Sequence, residues 1–300
     1  MYAPITLFVY NRPVHTRQTV EALLKNELAA ASDLVIFSDA AKKPEAEDAV
    51  HEVREYIRMI SGFRSVRIVE QKNNLGLANS IIDGVTSVVN EHGRIIVLED
   101  DMVTSPYFLT YMNEALEKFA DDDRVVSIHG YVYPVDQSLP KAFFLLGADC
   151  WGWATWQRGW ACFNDDGQFL LDELKRHKLT RDFDFNGAYS FSRMLEAQIK
   201  GANDSWAVRW YASAFLAGKL TLYPGRSLVH NIGNDNSGSH CGESAEYDVK
   251  LSNTPISLNN IDIEPSQAGR RAFEDFFRQK QTGLLRRLTR KASTLLKGCR

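Results

Sequence analysis

Four times between Ile5 and Phe119, a short apolar run is followed by an amphipathic helical stretch, and few folds accept that order. The apolar runs are Ile5 to Tyr10, Leu34 to Phe37, Val66 to Val69 and Ile95 to Leu98. Helical patterns follow them from Val14 to Ala30, Glu45 to Ile60, Leu77 to Asn90 and Pro106 to Phe119. Runs this short and this uniformly apolar suit strands buried on both faces. The chain therefore reads as α/β, a mostly parallel sheet with helices on both faces. Right-handed crossovers bring the strand C-termini to one edge, where ligands bind in such sheets. Asn11-Arg12-Pro13, Ser38-Asp39, Asn73 to Gly76 and Glu99-Asp100-Asp101 should all face that crevice.

The acidic triplet is the strongest of these signals. Three acids at the end of a buried strand repel one another and lose hydration unless a cation or hydrogen-bond donors compensate. A hard divalent ion with oxygen ligands would do so, and would also neutralise a departing diphosphate. A solvated acidic turn before a helix is the plainer reading. The other loops carry weaker signals. Pro13 can open a helix at its first position, which leaves Arg12 unexplained. Asp39 can be a simple helix cap. Gly76 permits close backbone approach, and the helix that starts at Leu77 offers free amides to an anion.

The second half differs. Trp151, Trp153, Trp156 and Trp160 cluster together, and helical patterns run from Phe169 to His177, Ser190 to Lys200 and Trp206 to Ala217. Lys219 to Tyr223 reads as a strand. Arg226 to Glu243 is rich in Gly, Asn, Ser and His and reads as a long loop. Ahead of the helix at Trp206 stand Asn203, Asp204 and Ser205, all good caps, yet Asp204 is also a carboxylate available to take a proton. His230 and His240 lie in the late loop; His230 ends a strand-like run and is the better fixed. These shifts divide the chain into 1–123, 124–268 and a basic tail, 269–300.

The tail, 270–300, holds ten Lys/Arg against two Asp/Glu, in a chain whose formal net charge is -3. The body is thus acidic, which argues against nucleic acid as a partner. Phe273, Phe276 and Phe277 share a helical face, as do Leu284, Leu288, Ala292 and Leu295, with arginines and lysines opposite. This amphipathic helix suits an anionic membrane surface; a solvated helix packed on the body and a disordered basic end are the alternatives. Four dispersed cysteines without a CxxC pair fit a reducing compartment. The N-terminus has no charged n-region or cleavage site. These features predict a cytoplasmic protein, at the inner face of the cell membrane where its tail binds there.

Taken in order, these motifs resemble nucleotide-sugar glycosyltransferases of the GT-A fold, a Rossmann-like α/β architecture. They are similar to bacterial family-two-like sugar transferases and to the N-acetylglucosaminyltransferase I type, over roughly the first 240 residues. The resemblance implies Asp101 as ligand of Mn2+ (or Mg2+), with Glu99 and Asp100 at the donor. By the same match, Tyr10, Asn11 and Arg12 form the nucleotide loop and Asp39 accepts a hydrogen bond from uracil. Asn74, Gly76 and Leu77 pack against the donor, and Gly152-Trp153 lies beneath the donor sugar. The acid-x-Trp element at Asp204 implies a catalytic base and an inverting reaction, and the late loop implies a lid with His230 as a second metal contact. The implied activity is transfer of a hexosyl or N-acetylhexosaminyl group from a UDP-sugar to a glycan or lipid-linked acceptor, in bacterial surface-polysaccharide or glycolipid assembly. A nucleotidyltransferase would want the same sheet and metal, but also a glycine-rich basic loop after the first strand, which Asn11-Arg12-Pro13 is not. A catalytically silent membrane-attached binding module has no need of clustered acids.

Overall fold

The computed structural model describes residues 2–235 and 244–280. The first half is built of β1 (Ile5–Val9), α1 (Pro13–Leu24), β2 (Asp33–Ser38), α2 (Glu47–Arg58), β3 (Ser65–Glu70), α3 (Leu77–His92) and β4 (Arg94–Glu99). Each expected strand is present, with its ends within one residue of the predicted bounds. The helices start where their sequences allow. Pro13 opens α1, where its missing N–H costs nothing, and Gly93, left-handed at φ 76°, closes α3.

The second half continues with β5 (Met102–Thr104), α4 (Phe108–Lys118), β6 (Val125–His129), β7 (Ala142–Leu146), β8 (Trp153–Trp156) and the short α5 (Gln157–Trp160). Then come α6 (Gly167–Arg176), α7 (Thr180–Phe183), α8 (Phe191–Ile199), α9 (Trp206–Leu216), β9 (Leu220–Pro224) and β10 (Val229–Asn231). Four of these strands, β5 to β8, were not anticipated, and of β10 only a strand-like run ending at His230 was expected. They are three to five residues long, and where buried on both faces they show no alternation to read.

Eight strands form one sheet in the order β3-β2-β1-β4-β8-β6-β9-β7. The pairings β3–β2, β2–β1, β1–β4 and β6–β9 are parallel, while β8 and β7 are antiparallel to their neighbours. Six strands therefore point the same way, and their C-terminal ends share one edge. The proposed boundary near Asp123 falls inside this continuous sheet, so it marks a change of strand order. Alternate residues of β1 and β2 enter opposite cores. Leu7, Leu34 and Ile36 pack with α1, α2 and α4, while Phe8, Val35 and Phe37 pack with α3. A β-carbon at Gly84 would press on the rings of Phe8 and Phe37, so a glycine there lets α3 lie close to the sheet.

A separate ribbon joins β5 and β10 antiparallel, with His230 opposite Val103 and Asn231 opposite Met102. It lies inside the segment expected to be loop. A final helix over 267–280 buries Phe273, Phe276 and Phe277 in an aromatic core with Phe183, Phe185 and Tyr211. The start of the basic tail is thus packed on the body through the face expected to meet a membrane. The remainder of that expectation, 281–300, lies outside the described residues, as does His240. Among the described residues no helix is long and apolar enough to cross a membrane.

Candidate active site

The crevice is assembled from the C-terminal ends of β1, β2 and β4, closed on one side by the β5–β10 ribbon. Glu99 is the last residue of β4, and Asp100 and Asp101 form the turn into β5. Thr19 on α1 donates its hydroxyl to the Asp100 carbonyl at 2.8 Å, and Ile232 N–H donates to the Asp101 carbonyl at 2.9 Å. Two elements far apart in sequence thereby fix the turn. Asp100 and Asp101 are buried. Arg12 donates to Asp100 and pairs with Asp101 Oδ2 at 2.9 Å, while Asp101 Oδ1 is buried without a hydrogen-bond partner.

The electrostatics follow from crowding. Lost hydration, then the charges of Asp101 and Asp100, push Glu99 up to about 8. Lost hydration also pushes Asp100 up to about 6, against the pull of Arg12. Burial alone would weaken the charge on Arg12; Asp100 and Asp101 more than offset it and raise its pKa further. The triplet is therefore under-neutralised, which is the condition a bound cation relieves.

A divalent ion fits part of this donor set. The orphaned Asp101 Oδ1 is a hard oxygen in need of a partner, and ions of this kind take one or two carboxylates plus substrate phosphates. Among the described residues, no group of three His, Cys, Asp or Glu stands ready to hold a metal. His230 lies on the ribbon two residues before Ile232, the backbone partner of Asp101, and its Nδ1 accepts a long, 3.4 Å bond from Val249 N–H.

Asp39 is buried at the end of β2, and its two oxygens are fully used. Oδ1 accepts from the amides of Ala40 and Leu75, and Oδ2 from Gly76 N–H and the Asn74 side chain, all at 2.8–3.0 Å. A carboxylate has about four lone-pair sites, so none is left for a base. Asp39 thus holds the loop of Asn74 and Gly76 in shape, where the resemblance had implied uracil. Gly76, at φ 75°, caps α3, and Leu77 is 41% exposed beside it. Tyr10 anchors the same rim by accepting Lys42 N–H at 3.0 Å. Asn11 is half-buried next to it.

Gly152 lies at the same edge. Its carbonyl accepts Gly130 N–H at 2.7 Å, its φ is 67°, and a β-carbon would collide with Val229 of the ribbon. Trp153 points elsewhere: it is fully buried and packs against Trp160, Trp206 and Trp210. Its indole therefore belongs to the core, and a donor sugar cannot rest on it. Half-exposed Trp151 is the aromatic neighbour of the edge, in contact with Tyr131 and Tyr247.

Asp204 sits just before α9, whose Trp206 stacks on Trp153, and Trp153 pairs with Val97 two residues before Glu99. The first turn of α9 therefore packs on the end of β8 that neighbours the end of β4. Ser205, not Asp204, is the cap, accepting Val208 N–H, and Asn203 holds the turn through Ser205 N–H. The Asp204 side chain is 60% exposed, with only a loose 3.8 Å approach to Arg209. Its carboxylate has no capping duty.

Three residues escaped the sequence reading. Arg54 on α2 donates to the carbonyls of Ser38, Asp39 and Gln71, tying the ends of β2 and β3 together. His15 approaches Asp235 at 3.1 Å, linking α1 to the segment after β10. Gly233 lies so close to Asp101 Oδ2 and Arg12 that a β-carbon would collide with the carboxylate. Arg54 and His15 stand on ordinary helical faces, and nothing local marks them.

No curated protein matches the chain. Among solved structures, similar regions occur in a mannosyltransferase from Pyrobaculum calidifontis in complex with GDP-Man and Mn2+, at 16% identity and TM-score 0.32, covering 44% of this chain and 36% of that one. TarS from S. aureus (residues 1–349) is similar at 9% identity and TM-score 0.34, covering 54% of this chain and 49% of that one. The chain thus spans about a third to a half of the length of these proteins. The sequence profile of glycosyl transferase family 2 matches residues 5–191, which include the triplet and all the loops of the parallel half. On that match over more than half of its length, the chain belongs to glycosyl transferase family 2.

Proposed function

We propose that this protein transfers a sugar from a nucleotide diphosphate donor, UDP-linked by the sequence resemblance, to an acceptor hydroxyl with inversion at the anomeric carbon. The observation that carries this reading is the under-neutralised triplet at the sheet edge, with one buried oxygen of Asp101 unpaired beside Arg12. Asp101 would hold the metal, and Arg12 would face the diphosphate. The rim of Tyr10, Asn11, Asn74, Gly76 and Leu77 would receive the nucleoside, with Asp39 and Arg54 keeping that rim in shape. When bound, a divalent ion would supply charge neutralisation to the leaving diphosphate.

Asp204 is the proposed base. The acceptor oxygen bonds to the anomeric carbon as the bond from that carbon to the diphosphate breaks. The hydroxyl proton passes to the Asp204 carboxylate, and the nucleoside diphosphate departs. A cavity of about 440 Å³, walled by Tyr133, Val135 and Leu139 and rimmed by Gln137, Arg226 and Asp248, lies beyond the C-terminal ends of β6 and β9. That end of the edge is roughly 14 Å from the triplet, three strand spacings away, a suitable distance for the acceptor side.

Calorimetric titration with UDP, with and without Mn2+, tests the reading on the intact protein and on Asp101→Ala. Metal-dependent binding that disappears in the variant is expected. If neither UDP nor another nucleoside diphosphate binds under any metal condition, the transferase reading fails.

A further inference from the structure

Arg12 does more than face an anion. It is rigidly held: its carbonyl receives both the N–H and the hydroxyl of Thr16 at 2.9 Å, and Pro13 fixes the first turn of α1. Its side chain is only 16% exposed, and it reaches both Asp100 and Asp101. Gly233 closes over the pair from the ribbon, leaving no room for a β-carbon. A guanidinium cannot be deprotonated, so this positive charge is permanent.

We infer that Arg12 is a resident counter-cation that makes divalent-metal binding at Asp101 conditional on a nucleotide diphosphate. The inference rests on the proposed donor site and concerns how that site is filled. Arg12 occupies Asp101 Oδ2 and one side of Asp100, and leaves Asp101 Oδ1 as the unpaired oxygen. A metal arriving alone meets the unpaired Asp101 oxygen and a fixed like charge close by. Among the described residues, no second and third ligand are grouped to complete its shell. A diphosphate changes both conditions. Its oxygens would supply further ligands, and its negative charge would offset the repulsion between metal and guanidinium. Metal and nucleotide are thereby coupled, and the coupling is reciprocal.

Binding of Mn2+, followed by the loss of its free-ion paramagnetic resonance signal, reads this out directly. It needs no turnover. The full chain, Arg12→Gln, Arg12→Lys and Asp101→Asn would each be titrated with Mn2+, with and without UDP. The intact protein should bind Mn2+ weakly alone and on the order of a hundredfold more tightly with UDP, near the upper end of ordinary coupling. Arg12→Gln should bind Mn2+ alone about tenfold more tightly than the intact protein and gain less from UDP. Arg12→Lys keeps a positive charge on a shorter stem without the planar fork that holds it against both carboxylates, so its nucleotide-free affinity should fall between the two, which keeps the test open if Arg12→Gln does not fold. Asp101→Asn should lose Mn2+ in every condition. Unchanged or weaker nucleotide-free Mn2+ binding in both Arg12 variants would overturn the inference, even with the intact protein binding Mn2+ and UDP together. Failure of the intact protein to bind UDP at all would instead remove the donor site itself.

Discussion

Asp39 and Asp101 occupy equivalent places, each just beyond a parallel strand at the same sheet edge, and they are used in opposite ways. Asp39 accepts four hydrogen bonds and has no capacity left. Asp101 has one oxygen on Arg12 and one buried and empty. Both are buried aspartates in strand-end loops, so residue type and position do not separate scaffold from site. What separates them is whether the protein itself completes the acceptor's needs. A buried carboxylate saturated by amides builds structure, and one left half-satisfied beside two further acids is poised for something the chain does not supply.

The sharpest way to break this comparison is at the chemistry both loops are proposed to serve. Asp204→Asn keeps size and polarity but cannot accept the acceptor's proton. With a competent donor and acceptor pair, its kcat should fall by about 10²–10⁴, with UDP–Mn2+ affinity unchanged. A fall in nucleotide affinity of the same size would instead make Asp204 part of the donor site.

Next in size is stability. Asp39→Ala strands the amides of Leu75 and Gly76 and the Asn74 side chain, and should cost about 2–4 kcal/mol, since each unsatisfied buried group costs about 1–3 kcal/mol. Asp101→Asn removes one charge from a crowded cluster and leaves Arg12 its partner Asp100, so its unfolding free energy in urea should stay within about 1 kcal/mol of the parent. Equal losses in urea denaturation would erase the distinction between scaffold and site.

A smaller effect concerns pH. The folded-state pKa values of Glu99 and Asp100 are raised, to about 8 and about 6, so the folded protein binds protons more tightly than the unfolded chain. Their contribution is fully present below the ordinary carboxylate range and is lost as pH rises through about 6 and then about 8. The metal-free protein should therefore lose melting temperature between pH 5 and about 8 more steeply than Glu99→Gln does, since the variant lacks the second of these titrations. Identical slopes in the two proteins would remove Glu99 from the strained cluster.

Much of the parallel half was legible in advance, because each strand there is followed by its helix and a polar loop. The edge rule therefore identified Arg12, Asp39 and the triplet together. The mixed half was not. Strands β6 and β8 lie between neighbours on both sides, so Val125 to Ile128 and Trp153 to Trp156 are uniformly buried and show no period of two. The β5–β10 ribbon pairs segments more than a hundred residues apart, which no local pattern reports. The same limit applied to roles: the resemblance implied Asp39 as a uracil contact, and the four donors that saturate it come from two loops whose convergence exists only after folding. Trp153 was implied as a sugar platform by the resemblance to the family's Gly-Trp pair, whereas three other tryptophans enclose it.

Trp153 supplies the last and smallest test, because it too carries an unpaired buried atom. Its indole Nε1 has no acceptor, as Asp101 Oδ1 has no donor. The two differ in what surrounds them. Nε1 lies in an aromatic core, where no ligand can reach it, and its missing bond is a cost carried by the fold; Oδ1 lies among charges at a crevice. Trp153→Phe deletes the orphaned N–H together with part of the ring, so the relief of an unmade hydrogen bond, about 1–3 kcal/mol, opposes the loss of packing. The net change in unfolding free energy should be a destabilisation of about 1–2 kcal/mol, well below the 3–5 kcal/mol typical of truncating such a ring to alanine. UDP–Mn2+ affinity should not move. A loss of affinity without a loss of stability would put Trp153 back beneath the donor, and would mean that an unpaired atom in the core can mark the site as well as one at the edge.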